Sequence, residues 1–306
     1  MSRMLAILGL VFGGALCAGA QTYTLQIGNI SWSGSPGGYN CFSSTAYPNT
    51  INFTITHNQS GAATYAVTAG ISTSSGSYNR QLASGGYRLN YQLYTTSAIT
   101  YVLQAPMTAT PNNVISGSNS TKNTVIPLSF TFFVPPGQAV PPGTYTDTVT
   151  IGIYSAYNSL SPMTTQTITI SVVVAAAAAV SIVPTGGPFN SANPQLTLNF
   201  GTLSVGQIQS CDVLIKQNNN CTVFYSSANN GVLKEIPIPT TDAIPYTCVA
   251  GGLTLDLSHP GSVPLPPGLS PAPDGNRYSV TITIGNLSNP SAGTYQDQIT
   301  LTVQAQ

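Results

Sequence analysis

Short segments in which apolar and polar residues alternate recur along the whole of this 306-residue chain. A period of two places alternate side chains on opposite faces of an extended strand, so each segment predicts a half-buried β-strand. In the first half the predicted strands lie at residues 23–32, 50–57, 63–71, 87–94, 126–134, 144–154 and 165–174. About seven short strands separated by turn-rich segments are typical of an antiparallel sandwich.

The second half of the sequence repeats this plan. Its predicted strands lie at residues 195–203, 211–217, 221–227, 244–249, 277–285 and 294–303. The motif Gly-Thr-Tyr-x-Asp at 143–147 returns at 293–297, an offset of 150 residues. Tyr91 and Tyr246 also occupy similar surroundings, at an offset of 155 residues. Nearly constant offsets indicate a duplicated domain.

The two copies differ on the C-terminal side of the repeated motif. The first copy continues into a loop at 155–163 and a strand at 165–174, whereas the sequence stops at residue 306 with no equivalent strand. We therefore expect an all-β chain of two immunoglobulin-like antiparallel sandwiches, the second lacking its last strand. The alternative is that the second half has a six-stranded topology of its own. On the first interpretation, an uncovered groove is lined by Ile299, Leu301 and Val303.

The first twenty residues predict export. They contain Arg3, an apolar stretch and a small-residue ending before Gln21, which is the pattern of a secretory signal peptide. The expected division is a signal peptide at 1–20, a complete sandwich at 21–174, an Ala-rich linker at 175–180 and an incomplete domain at 181–306.

Four cysteines remain after residue 20, and export favours disulfide formation between them. Four cysteines allow three pairings, among which sequence cannot decide. Cys221–Cys248 is favoured, because that bond would join two predicted core strands, and Cys41 has no obvious local partner.

The composition argues against several classes of function. Only 5% of residues are charged and the net charge is zero, which does not suit nucleic-acid binding. Between residues 21 and 174 the only carboxylate is Asp147 and the only histidine is His57. A pair of catalytic carboxylates cannot be formed there. A Ser-His-Asp set would need both residues, but Asp297 repeats Asp147 without a matching histidine. We expect no catalytic residue, no metal site and no cofactor.

The repeated motif has a structural interpretation instead. Tyr145 and Tyr295 stand at the start of a strand, where a tyrosine hydroxyl can fix the preceding turn by a hydrogen bond. Asp147 and Asp297 are expected to belong to the same structural turn.

Several segments together resemble spore coat protein U (SCPU) domains. They are YQLY at 91–94, IPLSFTFFV at 126–134, the Pro-Gly turn before GTYTDTVTI, and LNFGTLSVGQ, DVLIKQNN and AGTYQDQITLTV in the second half. The resemblance implies a secreted pilin of an archaic chaperone–usher pilus, and the two-domain arrangement resembles its tip subunit. The implied partners are a periplasmic chaperone, an outer-membrane usher, and a next subunit that donates a strand to the second domain. The implied location is the cell surface, at the pilus tip.

Strand order predicts where an adhesive surface would lie. The last strand of the first domain runs into the linker, so the loop before it points away from the second domain. We expect an abiotic or host surface to be bound by apolar residues of this loop and of segment 95–107: Tyr157, Leu160, Pro162, Met163, Tyr101, Val102 and Leu103. Residues 99–103 could instead form an extra core strand. The alternative function is a secreted, autonomous binding module, for example one that recognises carbohydrate.

Overall fold

The computed structural model describes residues 22–32, 38–106, 108–192, 194–236, 242–266, 269, 274–288 and 290–306. The expected signal peptide lies outside these residues. The all-β prediction is confirmed, since the described chain is built from strands and one 3-10 turn, Pro111–Asn113. Within the described chain, no helix has the length and apolar character needed to cross a bilayer.

The described part of the first half contains eleven strands. They are β1 (Tyr23–Gln26), β2 (Ile30–Trp32), β3 (Tyr47–His57), β4 (Ala63–Ala69), β5 (Gln81–Ser84), β6 (Tyr87–Asn90), β7 (Gln92–Tyr94), β8 (Ile115–Asn119), β9 (Thr124–Val134), β10 (Gly143–Tyr154) and β11 (Thr164–Val174). One sheet has the order β1-β3-β9-β7, and the other has the order β2-β11-β10-β4-β8, with β5 and β6 attached through β10.

Strand β10 is a central strand of its sheet. It pairs antiparallel with β11 over eleven residues, from Gly143↔Val174 to Ile153↔Thr164, and pairs with β4 on its other edge. Strand β2 adds to the far side of β11 in a parallel direction, with Ile30 opposite Ile170. Both edges of β10 are therefore hydrogen-bonded.

The alternating residues of these strands meet in one hydrophobic core. Twenty-seven buried residues form a continuous cluster in the described part of the first half. Strand β11 supplies four of them, Ile168, Ile170, Val172 and Val174, at alternate positions. The period of two in the sequence thus corresponds directly to the buried face of each strand.

The second half contains ten strands in its described part. They are β12 (Ala178–Pro184), β13 (Ile208–Gln217), β14 (Cys221–Ser227), β15 (Val232–Ile236), β16 (Ala243–Ala250), β17 (Leu253–Leu255), β18 (Gly261–Pro264), β19 (Asn276–Ile284), β20 (Thr294–Gln296) and β21 (Ile299–Ala305). The larger sheet has the order β12-β13-β19-β16-β15-β20, and the smaller has the order β18-β14-β21. No strand pair among the described residues joins one half to the other.

Two segments of the second half differ from expectation. Residues 178–180, expected within an Ala-rich linker, begin strand β12 and pair with Gln217, Lys216 and Ile215. The connection between the halves is therefore only residues 175–177. Residues 195–203, expected as a strand, pair with no strand in the part of the chain that the structure describes.

Candidate functional site

The loop between β10 and β11 presents an apolar tip. Leu160 is 76% exposed and Tyr157 is 38% exposed, and Pro162 is exposed beside them. Met163 is different, because it packs against the core and its N–H donates to the Ile153 carbonyl at 2.7 Å. The loop therefore shows three of its four expected residues to solvent.

The segment between β7 and the 3-10 turn divides between surface and core. Tyr101 is 44% exposed, and Ile99 is also exposed, with a left-handed φ of 48°. Val102 is half-buried and forms an isolated bridge with Tyr94. The expectation that Leu103 lies on the binding surface is wrong: its side chain is fully buried in the core, and its N–H donates to the Leu93 carbonyl at 2.8 Å.

The 3-10 turn connects these two apolar loops, and sequence reasoning did not identify it. Asn113 Nδ2 donates to the Val102 carbonyl at 2.8 Å on one side. On the other side, Pro111 and Tyr157 line the same shallow pocket of about 350 Å³. The shared turn places the two predicted loops at one end of the first half.

A larger open cleft lies on the side of the first half, with a volume of about 1000 Å³. Leu25, Phe53 and Leu128 line it from neighbouring strands of the four-stranded sheet, and Ile115 and Gln166 line it from the other sheet. Its lining residues carry no charge, so the cleft offers no group for acid–base chemistry.

Strand β21, which carries the expected groove residues, is an edge strand. It pairs with β14 over seven residues, from Cys221↔Ala305 to Ser227↔Ile299, and the described residues place no strand on its other edge. Ile299, Leu301 and Val303 alternate along it and are only half-buried.

The equivalent residues of the first half are fully covered. At the offset of 150 residues, Ile299, Leu301 and Val303 correspond to Val149, Ile151 and Ile153, which are all buried in β10. The difference between the two strands is that β10 has β11 on its second edge and β21 has no such partner among the described residues.

Residues 195–203 have no regular secondary structure, and they pack against the second core. Leu198, Phe200 and Leu203 are half-buried there. Within the described chain, the segment makes no backbone–backbone hydrogen bond. Its contacts come from side chains instead: Gln207 Nε2 donates to the Phe200 carbonyl at 2.6 Å.

The repeated motif forms the same hydrogen-bond network in both halves. The Tyr91 hydroxyl donates to Asp147 Oδ2 at 2.6 Å, and the Tyr246 hydroxyl donates to Asp297 Oδ2 at the same distance. Oδ1 of each aspartate accepts a backbone N–H, from Ser74 in the first half and from Asn229 in the second. Burial, together with the hydrogen bond to the carboxylate, raises the pKa of both Tyr91 and Tyr246.

The tyrosine of each motif closes the turn that precedes its strand. The Tyr145 hydroxyl donates to the Pro141 carbonyl at 2.9 Å, four residues back, and the Tyr295 hydroxyl donates to the Ser291 carbonyl at 3.0 Å, also four residues back. The duplicated sequence therefore produces duplicated turn geometry.

The favoured Cys221–Cys248 bond is absent from the structure. All four described cysteines are free and buried; Cys221 lies in the three-stranded sheet and Cys248 in the larger sheet. Burial raises the pKa of Cys41 to about 11 and that of Cys248 to about 11. Such thiols are poorly ionised near neutral pH and hence poor nucleophiles.

The residues considered for catalysis do not meet. His57 is buried, and its Nδ1 lies 3.1 Å from the Thr121 carbonyl, whereas Asp147 is engaged by Tyr91 and Ser74. Among the described residues, no group of three or more His, Cys, Asp or Glu side chains is arranged to hold a metal ion.

Comparisons with known proteins give one family match and several distant structural likenesses. Among solved structures, the chain is similar to the chaperone–tip adhesion subunit complex CsuC–CsuE of Acinetobacter baumannii, at 15% identity and a TM-score of 0.45, covering 92% of this chain and 100% of that one. It is also similar to CfaE of enterotoxigenic Escherichia coli, at 13% identity, a TM-score of 0.35, and coverage of 91% and 93%. A third similar structure is the CupB6 tip adhesin of Pseudomonas aeruginosa, at 8% identity and a TM-score of 0.37, covering 92% of this chain and 94% of that one.

No curated protein gives a significant match. Each structural likeness is distant in both sequence and superposition, so the resemblance to a family depends on the family model alone. Residues 15–152 match the model of the Spore Coat Protein U domain. Over these residues, the chain is therefore similar to a Spore Coat Protein U domain.

Proposed function

We propose that this protein is the adhesive tip subunit of an archaic chaperone–usher pilus, whose second half is completed by a strand from another protein. The observation that carries the proposal is the open edge of β21, together with the half-buried apolar face of that strand. An unpaired edge beside uncovered apolar side chains is the usual geometry for strand addition.

The first half supplies a template for the missing strand. There β11 covers β10 with alternate buried residues, opposite Tyr145, Asp147 and Val149. A strand added to β21 in the same register would lie opposite Tyr295 and Asp297 and would cover the three groove residues. It would also offer a hydrogen-bonding edge to the unpaired segment 195–203, as β11 does to β2.

The far end of the first half supports the adhesive part of the proposal. Leu160 and Tyr157 are held out to solvent at the end away from the connection. The positive φ of Ile99 is unusual for a β-branched residue, and its side chain is exposed. Backbone strain of this kind collects at functional sites. We expect this tip to bind apolar abiotic or host surfaces.

The partners follow from this assignment. A periplasmic chaperone would hold the open edge after export, an outer-membrane usher would release it, and the next pilin subunit would then donate its strand. The protein would act at the cell surface without catalysing a reaction.

A second candidate is a carbohydrate-binding module, and one observation favours it. The lining of the 350 Å³ pocket includes the aromatic residue Tyr157 and several hydroxyl-bearing residues, Thr64, Ser116 and Ser118. Aromatic faces beside hydroxyl groups suit sugars, so adhesion assays should include glycans as well as apolar surfaces.

Matched variants of the full chain test the proposal. A fluorescent peptide that copies residues 164–174 is titrated against the wild-type chain, Leu301→Asp and Thr302→Asp. Leu301 faces the groove and Thr302 faces solvent. We expect Leu301→Asp to abolish binding and Thr302→Asp to bind like the wild type. Absence of saturable binding to the wild-type chain, or equal binding by both variants, would refute strand addition.

A further inference from the structure

The turn between β13 and β14, residues 218–220, lies where the two halves meet. Its residue Asn218 is buried. Nδ2 of Asn218 donates to the Val140 carbonyl at 3.1 Å and to the Ala175 carbonyl at 2.8 Å. Oδ1 accepts the Ala177 N–H at 2.7 Å. One side chain of the second half therefore contacts the first half and both ends of the connection.

These bonds use both amide hydrogens and the carbonyl oxygen of the side chain. The backbone adds a fourth bond, from the Asn218 N–H to the Ala177 carbonyl at 3.2 Å. The Cys41 thiol, buried in the first half, lies close to the Asn218 side chain. The connection is three alanines, which have no polar side chain of their own, so Asn218 provides the specific polar contacts at this joint.

The neighbouring residues of the same turn hold a different segment. Asn219 Nδ2 donates to the Gln306 carbonyl, and the Gln306 N–H donates to the Asn220 carbonyl at 2.9 Å. Asn219 therefore ties the turn to the end of β21 but makes none of the contacts to the connection. This makes it a matched control for Asn218.

We propose that Asn218 fixes the three-alanine connection and the orientation of the two halves, so that they move as one body. This inference goes beyond pilus assembly or adhesion, because it concerns how the tip is joined to the domain that carries the open edge. A subunit with this joint would transmit a pull on its second half to the tip without free rotation at the connection.

The test uses the full chain from residue 21, with and without the peptide that copies residues 164–174. Amide hydrogen exchange of residues 175–178 reports the connection, and residual dipolar couplings report the relative orientation of the halves. The variants are Asn218→Ala, Asn218→Asp and Asn219→Ala. Fluorescence of Trp32, the only tryptophan, shows whether the first half remains folded.

We expect Asn218→Ala to speed exchange at Ala177 by about tenfold or more, the factor that corresponds to one lost hydrogen bond. Asn218→Asp keeps the acceptor for the Ala177 N–H but loses both donors. It should therefore leave Ala177 protected and still loosen the orientation of the halves. Asn219→Ala should leave both readouts at wild-type values.

Two results would overturn the inference. One is unchanged exchange and orientation in Asn218→Ala, and the other is an equal effect of Asn219→Ala on the connection. If Asn218→Ala does not fold, the dipolar couplings of the nearly isosteric Asn218→Asp variant test the inference instead. An orientation of the halves unchanged from the wild type would then overturn it. Strand addition is measured separately, as slower amide hydrogen exchange of β21 in the presence of the peptide. The proposal for Asn218 and the proposal of strand addition can therefore fail independently.

Discussion

A peptide with the sequence of β11 should stabilise the second half of this protein. In the first half, β11 buries four side chains, Ile168, Ile170, Val172 and Val174, against the core. Burial of side chains of this size is worth about 1.5–3 kcal/mol each, or about 6–12 kcal/mol together. The whole stability of a domain is about 5–15 kcal/mol. A strand of this kind therefore decides whether such a domain is stable.

Ordering a free peptide consumes much of this gain. If about 3 kcal/mol remains, the midpoint of thermal unfolding of the second half should rise by about 10 °C. Trp32 fluorescence follows the first half alone, whereas far-UV circular dichroism follows both halves. We expect the peptide to raise the midpoint of the second half, which circular dichroism detects. The midpoint of the first half, which Trp32 fluorescence reports, should not change.

Two altered peptides make the assay specific. In the peptide, Ile170→Asp places a carboxylate in the apolar groove and should abolish the shift. Thr169→Asp changes a position that is not buried in β11, so this peptide should still raise the unfolding midpoint. The reasoning is refuted if the second transition does not move, or if both altered peptides act alike.

Three other changes test the same set of contacts. Tyr91→Phe removes the hydroxyl that donates to the buried Asp147 carboxylate, and should cost about 1–3 kcal/mol of first-half stability in denaturant unfolding followed by Trp32; no loss would contradict the pairing. Leu160→Ser should weaken adhesion to an apolar surface without changing the unfolding midpoint, whereas Leu103→Ser should lower that midpoint, and the opposite pattern would exclude the proposed tip. Because burial raises the pKa of Cys41 to about 11, the unfolded state loses this proton first as pH rises. Unfolding free energy should therefore fall between about pH 9 and 11 and fall less in Cys41→Ala, which equilibrium unfolding at several pH values checks.

Much of the fold could be predicted from alternation, because long strands with one buried face carry a strong signal. Strands β3, β9, β10 and β11 all lie within a few residues of their predicted bounds. Short strands such as β8, with the sequence ISGSN, lack apolar alternation and give no such signal. They exist because a neighbouring strand offers hydrogen bonds, which is a tertiary effect.

The opposite error occurs at residues 195–203. Their alternation predicts a strand, and their apolar residues do pack against the core, yet they form no ladder with any other described residues. A strand needs a partner as well as a pattern, and sequence alone does not show whether the partner is present. Ala178 and Ala179 resemble a linker in sequence for a related reason, since alanine has low strand propensity and only pairing with β13 makes them part of a strand.

The candidate site was predictable in part for similar reasons. Leu160 and Tyr157 lie in a loop between strands, where apolar side chains are not needed for local packing, and both are exposed. Leu103 lies one residue after the isolated bridge at Val102, and its side chain is buried in the core. The role of the 3-10 turn and of Asn218 depends on contacts between distant segments, for which the sequence holds no local signal.

The central claim is that β21 has a free edge. In an antiparallel pair with β14, alternate amides of residues 299–305 point to β14 and the others point to the open side. Amide hydrogen exchange on the full chain, with and without the 164–174 peptide, measures this directly. The account predicts that the open-side amides exchange fast alone and slowly with peptide, while those of β10 stay slow throughout. Uniformly slow exchange along β21 without peptide would contradict it.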